Sequence, residues 1–399
     1  MSLFSPLSDE ARRALDGTLA LVEKTFPLPG RFRAKLPSDI AELSRLLTSG
    51  RGERGLSYLG RPNLLSAYLR FFLPWNLYRL CRLLPGLGIE LRANDVVTDL
   101  GCGPFTFAAA LWVSRPDLRE LPLEFNCVDR SAPALEAGGK FFAALAGGKS
   151  PWKMRALKAE LGAIRAKPAA LVCAANVFNE MHGDISRCGA EALARGAAKS
   201  ARMIEGCASD APESAVLVVE PGFPRCGEFV ALLRGALAER GRAPVSPCPH
   251  AGACPMLAET AQVGARAKKR WCHFAFDTED APAGLRRLSA AARLPKERAV
   301  LSFVFARKQE ALPPKNAGDR DEGDACALRV VSDAFALPGR RFGRYCCSER
   351  GLALLAGEKD EIEKTASGAL ASAVFKRGGR DAKSGALLAE LASGKKETG

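Results

Sequence analysis

Between Ser246 and Phe274 the chain reads SPCPHAGACPMLAETAQVGARAKKRWCHF. This stretch carries Cys248, Cys254 and Cys272, together with two of the chain's three histidines, His250 and His273. Thiolate and imidazole are the ligands of soft and borderline metals. Five residues separate the first two cysteines and seventeen separate the second from the third. Neither interval is the short spacing of a zinc knuckle. A zinc site of three cysteines with His250 or His273 is open to this set. So is an iron–sulfur centre completed by a cysteine from elsewhere. Cys-Pro turns are poor core-packing sequences, which speaks against three idle buried thiols. A fourth sulfur could come from Cys346 or Cys347, which sit in RYCCSERG where an expected strand enters a turn. Neighbours on a strand point to opposite faces, so only one of the pair can reach the site. Cys326 falls in a polar segment, a poor place to hold a ligand rigidly. Cysteines 81, 102, 127, 173, 188, 207 and 226 lie mostly in helix or strand runs and read as packing residues.

A second constellation lies earlier. Asp99-Leu100-Gly101-Cys102-Gly103-Pro104 closes a short apolar run, and FTFAAALWVSR follows with a helical pattern. Glycines let the backbone turn tightly and approach a ligand, and Pro104 suits the first turn of a helix. A second apolar run ends in Asp129, 28 residues past Gly101, where a carboxylate can accept from both ribose hydroxyls of a nucleotide. Phe105 stands near the usual third glycine. A dinucleotide needs close backbone approach to its pyrophosphate, whereas a nucleoside cofactor without phosphate tolerates the change. Asn176-Val177-Phe178-Asn179-Glu180 follows a later strand-like run. Asn176 is placed to touch the cofactor, and Asn179 and Glu180 are candidate catalytic groups. Capping the next helix is an equal alternative for the last two.

The elements that must hold these residues alternate. DVVTDL, LEFNCVD, LVCAANV, SAVLVVEPG and AVLSFVFARK read as strands, with helical stretches between them. That alternation predicts a mostly parallel sheet with helices on both faces. Residues 1–90 predict a helical N-terminal domain, and 91–308 the α/β domain, with the cysteine-rich insertion at 245–275. Residues 309–327 read as a polar linker, 328–375 as a small β domain of OB-like type, and 376–399 as a basic tail with one helical patch.

The chain has 399 residues, 47% of them hydrophobic, enough for two or three cores. Its net charge of +14 points to a polyanionic partner, nucleic acid first. Thirteen cysteines and an acidic N-terminus without a long apolar core predict reduced thiols or metal ligands in a cytoplasmic protein. No apolar run reaches the ~18 residues of a membrane span, so no membrane partner is expected.

DLGCGP, in its strand–turn–helix setting, resembles motif I of class I S-adenosylmethionine methyltransferases. The longer series DLGCGP, NVFNE, LVVEPGFP, CPHAGACPM, KRWCHF and SFVFARK resembles the methyltransferase-like assembly factors of the small ribosomal subunit, best known from mitochondria and with bacterial relatives. The resemblance spans roughly residues 55–355. It implies a Rossmann-like class I methyltransferase core that binds S-adenosylmethionine through Asp99, Gly101, Gly103, Asp129 and Asn176. It implies a structural 4Fe–4S cluster on four cysteines, and binding to small-subunit rRNA and the ribosomal small subunit. In the family the fourth cysteine stands four positions before a glycine; Gly351 then selects Cys347, beside Cys248, Cys254 and Cys272. RAKKR (266–270) and RRFGR (340–344) would supply phosphate contacts, and a monomer is expected. Two rivals remain at this stage: an active rRNA or ribosomal-protein methyltransferase, and a zinc-bearing RNA-binding module. A radical enzyme would need the CxxxCxxC run, which the chain lacks.

Overall fold

Short runs of β-branched and aliphatic residues, each followed by a turn and a helix, build the central sheet. The computed structural model describes residues 3–48, 50, 58–164, 166–181, 188–257, 271–309 and 325–392. Its strands are β1 (Val96–Leu100), β2 (Glu124–Asp129), β3 (Lys153–Lys158), β4 (Leu171–Ala175), β5 (Ala215–Pro221), β6 (Arg242–Ser246), β7 (Phe274–Asp277) and β8 (Arg298–Lys308). They lie in the order β3-β2-β1-β4-β5-β8-β6, and β7 also pairs with β8. Neighbours from β3 to β5 are parallel. β8 runs antiparallel to β5, β6 and β7. One antiparallel strand set next to the last position of a parallel sheet is the class I methyltransferase arrangement.

β6 and β7 occupy the same edge of β8, end to end. Ser246 pairs with Phe305, and Phe274 pairs with Leu301. The cysteine-rich stretch therefore leaves and re-enters the sheet at the middle of β8, which places its two ends side by side.

Alternation along the strands splits the apolar residues between two faces. Val172, Ala174, Val216, Val218 and Val304 meet the helices Ala190–Glu205 and Pro224–Ala238 on one side. Val97, Cys173, Leu217, Val219 and Phe305 face the other side, with the helices Thr106–Ser114, Ala132–Leu145 and Ala283–Ala291. The N-terminal helices Asp9–Thr25, Leu36–Leu47 and Leu73–Leu83 share that second core without a break. Trp75 Nε1 donates to Ser289 Oγ at 3.0 Å, and Arg82 pairs with Asp280 at 2.8 Å. Among the described residues no helix is long and apolar enough to cross a membrane.

The C-terminal strands are β9 (Cys326–Val330), β10 (Phe335–Ala336), β11 (Phe342–Ser348), β12 (Gly351–Gly357), β13 (Leu370–Arg380) and β14 (Leu387–Leu391). The order β9-β11-β12-β14-β13 closes back on β9, with β12 and β14 parallel and the rest antiparallel. A helix, Lys359–Lys364, bridges β12 to β13. This is a five-stranded OB-like barrel.

Two expectations change here. Residues 376–391 form the end of β13 and all of β14 rather than a tail with a helical patch. Cys326 starts β9 and is buried, so the polar segment ends before it. Three strands escape a reading by pattern. β3 is an exposed basic edge, β6 contains Pro244, and β7 has only four residues.

Candidate functional site

The glycine turn sits at the carboxyl end of β1. Gly101 has φ of +68°, and a Cβ there would lie 2.0 Å from Val177 Cγ2. Gly103 has φ of +52° and donates its N–H to Asp129 Oδ2 at 2.9 Å. The other oxygen of Asp129 accepts from Ser131 N at 2.8 Å. Phe105 also adopts the left-handed conformation, with φ of +58°, and its ring fills the space beside Gly138 that a side chain would need. The bulk near the third glycine position is thus accommodated by a glycine on the facing helix. A left-handed aromatic costs of order 1–3 kcal/mol, which the surrounding packing must offset.

Tyr68, Asn76, Asp99, Gly101, Thr106 and Asn176 line a cavity at this edge. Asp99 is 1% exposed, and its Oδ2 has no hydrogen-bond partner; neither has Thr106 Oγ1. Burial, and then the nearby Asp129, push the Asp99 carboxyl up to about 8. Burial also raises Asp129. Asn176 is left-handed, with φ of +60°, and its Oδ1 accepts from Arg79 Nη2 at 3.3 Å. Arg79 also bonds Asn76 Oδ1. Burial of the Tyr68 hydroxyl raises it well above its usual range.

Tyr68, Asn76 and Arg79 come from the N-terminal helices and are missing from the sequence reading. Their segment is apolar on more than one face, and a helix that is apolar all round is buried. Polar groups inside such a helix must have partners, which was the available signal. A π-turn over Tyr68–Phe72, in which Leu73 N bonds Tyr68 O, starts at Tyr68, and such turns are frequent at functional sites.

The candidate catalytic pair separates. Asn179 is buried, and its amide donates to Glu220 Oε2 at 2.8 Å. Glu220 also accepts from the backbone N–H groups of Val177, Phe178 and Asn179. It therefore caps the short helix Phe178–Met181. Burial pushes Glu220 up to about 7. Glu180 lies within reach of the Tyr58 hydroxyl, at 3.3 Å.

The second constellation lies where the sheet meets the barrel. Cys248 and His250 follow β6, Cys254 comes a few residues on, and Cys272 precedes β7. On β11, Cys346 pairs in register with Val330 and Ala353 and joins the barrel's own core, where burial pushes it up to about 12. Cys347 belongs instead to the core shared with the sheet, where Cys254 and Cys272 also pack. Burial raises Cys272, and the neighbouring Cys248, Cys347 and Cys254 raise it further. Cys347 is raised by burial and then by Cys248 and Cys254. All four sulfurs thus feel one another. Among the described residues, though, no three His, Cys, Asp or Glu side chains are close enough to hold one metal ion. His250 Nε2 lies 3.4 Å from Cys347 Sγ, and its Nδ1 has no hydrogen-bond partner. Burial, and then Arg234, push His250 down to about 4, which keeps the ring neutral. His273 points away, with Nδ1 at 3.2 Å from Trp271 O.

Two guanidinium groups complete the joint. Arg234, on the helix Pro224–Ala238, is 5% exposed. It donates to Cys248 Sγ at 3.1 Å and to the carbonyls of His250 and Gly252 at 2.9 and 2.8 Å. Arg329, on β9 and opposite Cys347, donates to Pro247 O and Gly368 O, each at 2.7 Å.

Of the basic segments, 266–270 lies outside the described residues. In RRFGR, Arg344 is buried and donates to Ile362 O and Ser332 O at 2.8 Å each. Arg341 pairs with Glu390 at 2.7 Å. Arg340 alone of the three is exposed. Burial and intrachain acceptors take the other two away from a nucleic-acid face.

Solved structures share the general arrangement. A protein from Listeria monocytogenes described as a class I S-adenosylmethionine-dependent methyltransferase aligns at 11% identity and a TM-score of 0.35, covering 77% of this chain and 90% of its own. The geranyl diphosphate C-methyltransferase of Streptomyces coelicolor A3(2) aligns at 11% identity and a TM-score of 0.33, covering 58% and 76%. At these scores they add nothing to the fold assignment, which rests on strand order. No curated protein sequence matches the chain. The profile of the family described as mitochondrial small ribosomal subunit Rsm22 matches residues 95–353, running from β1 across the cysteine-rich stretch into the barrel. With more than half of its length matched, the chain belongs to the Rsm22 family.

Proposed function

We propose that the chain is an assembly factor of the small ribosomal subunit that binds S-adenosylmethionine beside Gly101 and Gly103 and carries a 4Fe–4S cluster on Cys248, Cys254, Cys272 and Cys347. It acts as a cytoplasmic monomer and binds small-subunit rRNA. Family membership supports the ribosomal role, and the net charge of +14 supports a nucleic-acid partner. The observation that carries the reading is the gathering of four cysteines from two folding units at one joint.

The donor set fits a cluster. Thiols that raise one another are hard to ionise alone and become ligands when a cation takes up the charge. The sulfurs interact, yet they are not gathered around one ion as zinc's bonds of about 2.3 Å would require. A four-iron cluster is wider than one ion and anionic with its thiolates, and Arg234 and Arg329 face it with positive charge. When bound, the cluster cross-links the barrel to the methyltransferase core. The chain's own residues do the remaining work. Asp129 would hold the ribose and Asn176 would orient the cofactor. The free oxygens of Asp99 and Thr106 offer two acceptors inside the cavity.

Anaerobic purification followed by iron and sulfide analysis tests the cluster; about four irons per chain are expected, and zinc in their place would overturn it. Calorimetry with S-adenosylmethionine tests the cavity. Binding to small-subunit rRNA should weaken linearly on a log–log plot as salt rises, because counterions are released. An affinity indifferent to salt would exclude a phosphate-dominated contact.

A further inference from the structure

The loop from Pro247 to Gly252 is held from both sides before any cluster is considered. From the methyltransferase side, Arg234 reaches three atoms of the loop: Cys248 Sγ, His250 O and Gly252 O. From the barrel side, Arg329 reaches Pro247 O. Its second bond, to Gly368 O, ties it to the turn before β13. Gly368 is packed tightly, since a Cβ there would lie 2.9 Å from Leu3 Cβ. Neither guanidinium faces a carboxylate among its printed partners; each is spent on carbonyls and, for Arg234, a sulfur. A buried cation without an anion is costly, so the pair is out of balance unless the sulfurs carry negative charge.

We infer that Arg234 and Arg329 form a cationic clamp that presets the Cys248 loop and raises the reduction potential of the cluster bound there. This inference rests on the cluster proposed above. Positive charge and an N–H donor to a ligating sulfur both favour the state with the extra electron, because reduction adds negative charge to the sulfurs and irons. Arg234 is the stronger member, since it alone donates to a cysteine sulfur. It acts on Cys248, which makes it a positioning residue. His250 offers a second N–H toward Cys347 Sγ, and being neutral it adds a hydrogen bond without a charge.

The test is voltammetry or a dye-coupled redox titration of the full-length protein, loaded anaerobically, with iron content measured on each sample. Arg234→Gln should retain iron and lower the midpoint potential. A tenfold change in the ratio of reduced to oxidised cluster is expected, which is 59 mV for a one-electron couple. Arg234→Lys keeps the charge and loses the fork, and should fall between wild type and Arg234→Gln. If Arg234→Gln does not fold, Arg329→Gln reads the same effect from the barrel side, with a smaller downward shift. Wild-type protein without iron overturns the cluster and the clamp together. Wild-type protein with iron, and variants whose potential stays within error of it, overturns the clamp alone.

Discussion

The glycine turn after β1 and the cysteine loop after β6 are both strand-end loops, and they meet their polar demands in opposite ways. In the first, the chain supplies nearly everything. Asp129 accepts from Gly103 N and Ser131 N, and Glu220 accepts three backbone N–H groups behind Val177. Only Asp99 Oδ2 and Thr106 Oγ1 remain open. In the second, buried cations face thiols that resist ionisation, and His250 Nδ1 has no partner. A loop completed by its own backbone is rigid without ligand. A loop whose charges balance only around a metal centre gains its rigidity on binding. The first should therefore tolerate cofactor removal, and the second should not.

The largest effect should come from Cys347→Ser. It removes the one sulfur that the barrel contributes to the joint, so iron and the brown absorbance should both be lost. Limited proteolysis should then separate barrel from core far faster than in wild type. Cys346→Ser is the matched control. It sits in the barrel's core, so it should retain iron and cost about 1–3 kcal/mol of stability for burying a hydroxyl. Full iron in Cys347→Ser would transfer the fourth ligand elsewhere and erase the contrast between the two loops. Anaerobic chelation of wild type should mimic Cys347→Ser in proteolysis while leaving S-adenosylmethionine affinity unchanged.

On the rigid side, Gly101→Ala places a Cβ against Val177 and forces a left-handed alanine. The backbone term is about 1–2 kcal/mol and overpacking adds about 1–3 kcal/mol. Thermal or urea unfolding should show the sum. The double variant with Val177→Ala should recover the packing part and leave the backbone part, a coupling readable from a double-mutant cycle. Asp129→Ala comes next. S-adenosylmethionine affinity should fall by about 1.5–3 kcal/mol for each charge-assisted bond lost, measured by calorimetry. An unchanged affinity would mean that Asp129 serves only Gly103 and Ser131.

Periodicity made the sheet and the OB-like barrel legible, because both rest on short apolar runs with turns between them. It failed at β3, where Lys153, Arg155 and Lys158 mask an edge strand, and at β13, where KRGGR continues a strand the composition reads as a tail. The glycine turn was legible because Gly101 and Gly103 need left-handed backbone, a demand visible in residue type. The cavity's other wall was not. Tyr68, Asn76 and Arg79 reach it from a helix segment more than twenty residues upstream, and only tertiary packing brings them there. The same holds for Arg234 and Arg329. An arginine in a helix or strand reads as surface charge until its partners are known, and both face the cysteine loop across the fold. Conversely, RRFGR reads as a phosphate contact and is mostly consumed inside the barrel.

The smallest effect concerns Asp99. Its folded carboxyl sits at about 8, raised by burial and then by Asp129, against about 3.9 in an unfolded chain. The folded state therefore holds this proton more tightly than the unfolded state does. Stability from this group is fully present below about pH 4 and is lost as pH rises toward 8. One proton corresponds to a slope of about 1.4 kcal/mol per pH unit. Asp99→Asn cannot titrate, so its stability should fall less steeply between pH 5 and 7 than that of wild type, by up to that slope. Glu220, also raised by burial, titrates in both proteins and cancels in the difference. The same proton marks the open oxygen of the glycine turn. A cationic ligand group placed against Asp99 would favour the ionised carboxylate, so binding near pH 7 should release a proton. Calorimetry in two buffers of different ionisation enthalpy measures that release directly. A wild type that binds without proton release, and an Asp99→Asn variant that binds as well, would leave Asp99 a buried strut and the glycine turn complete without its ligand.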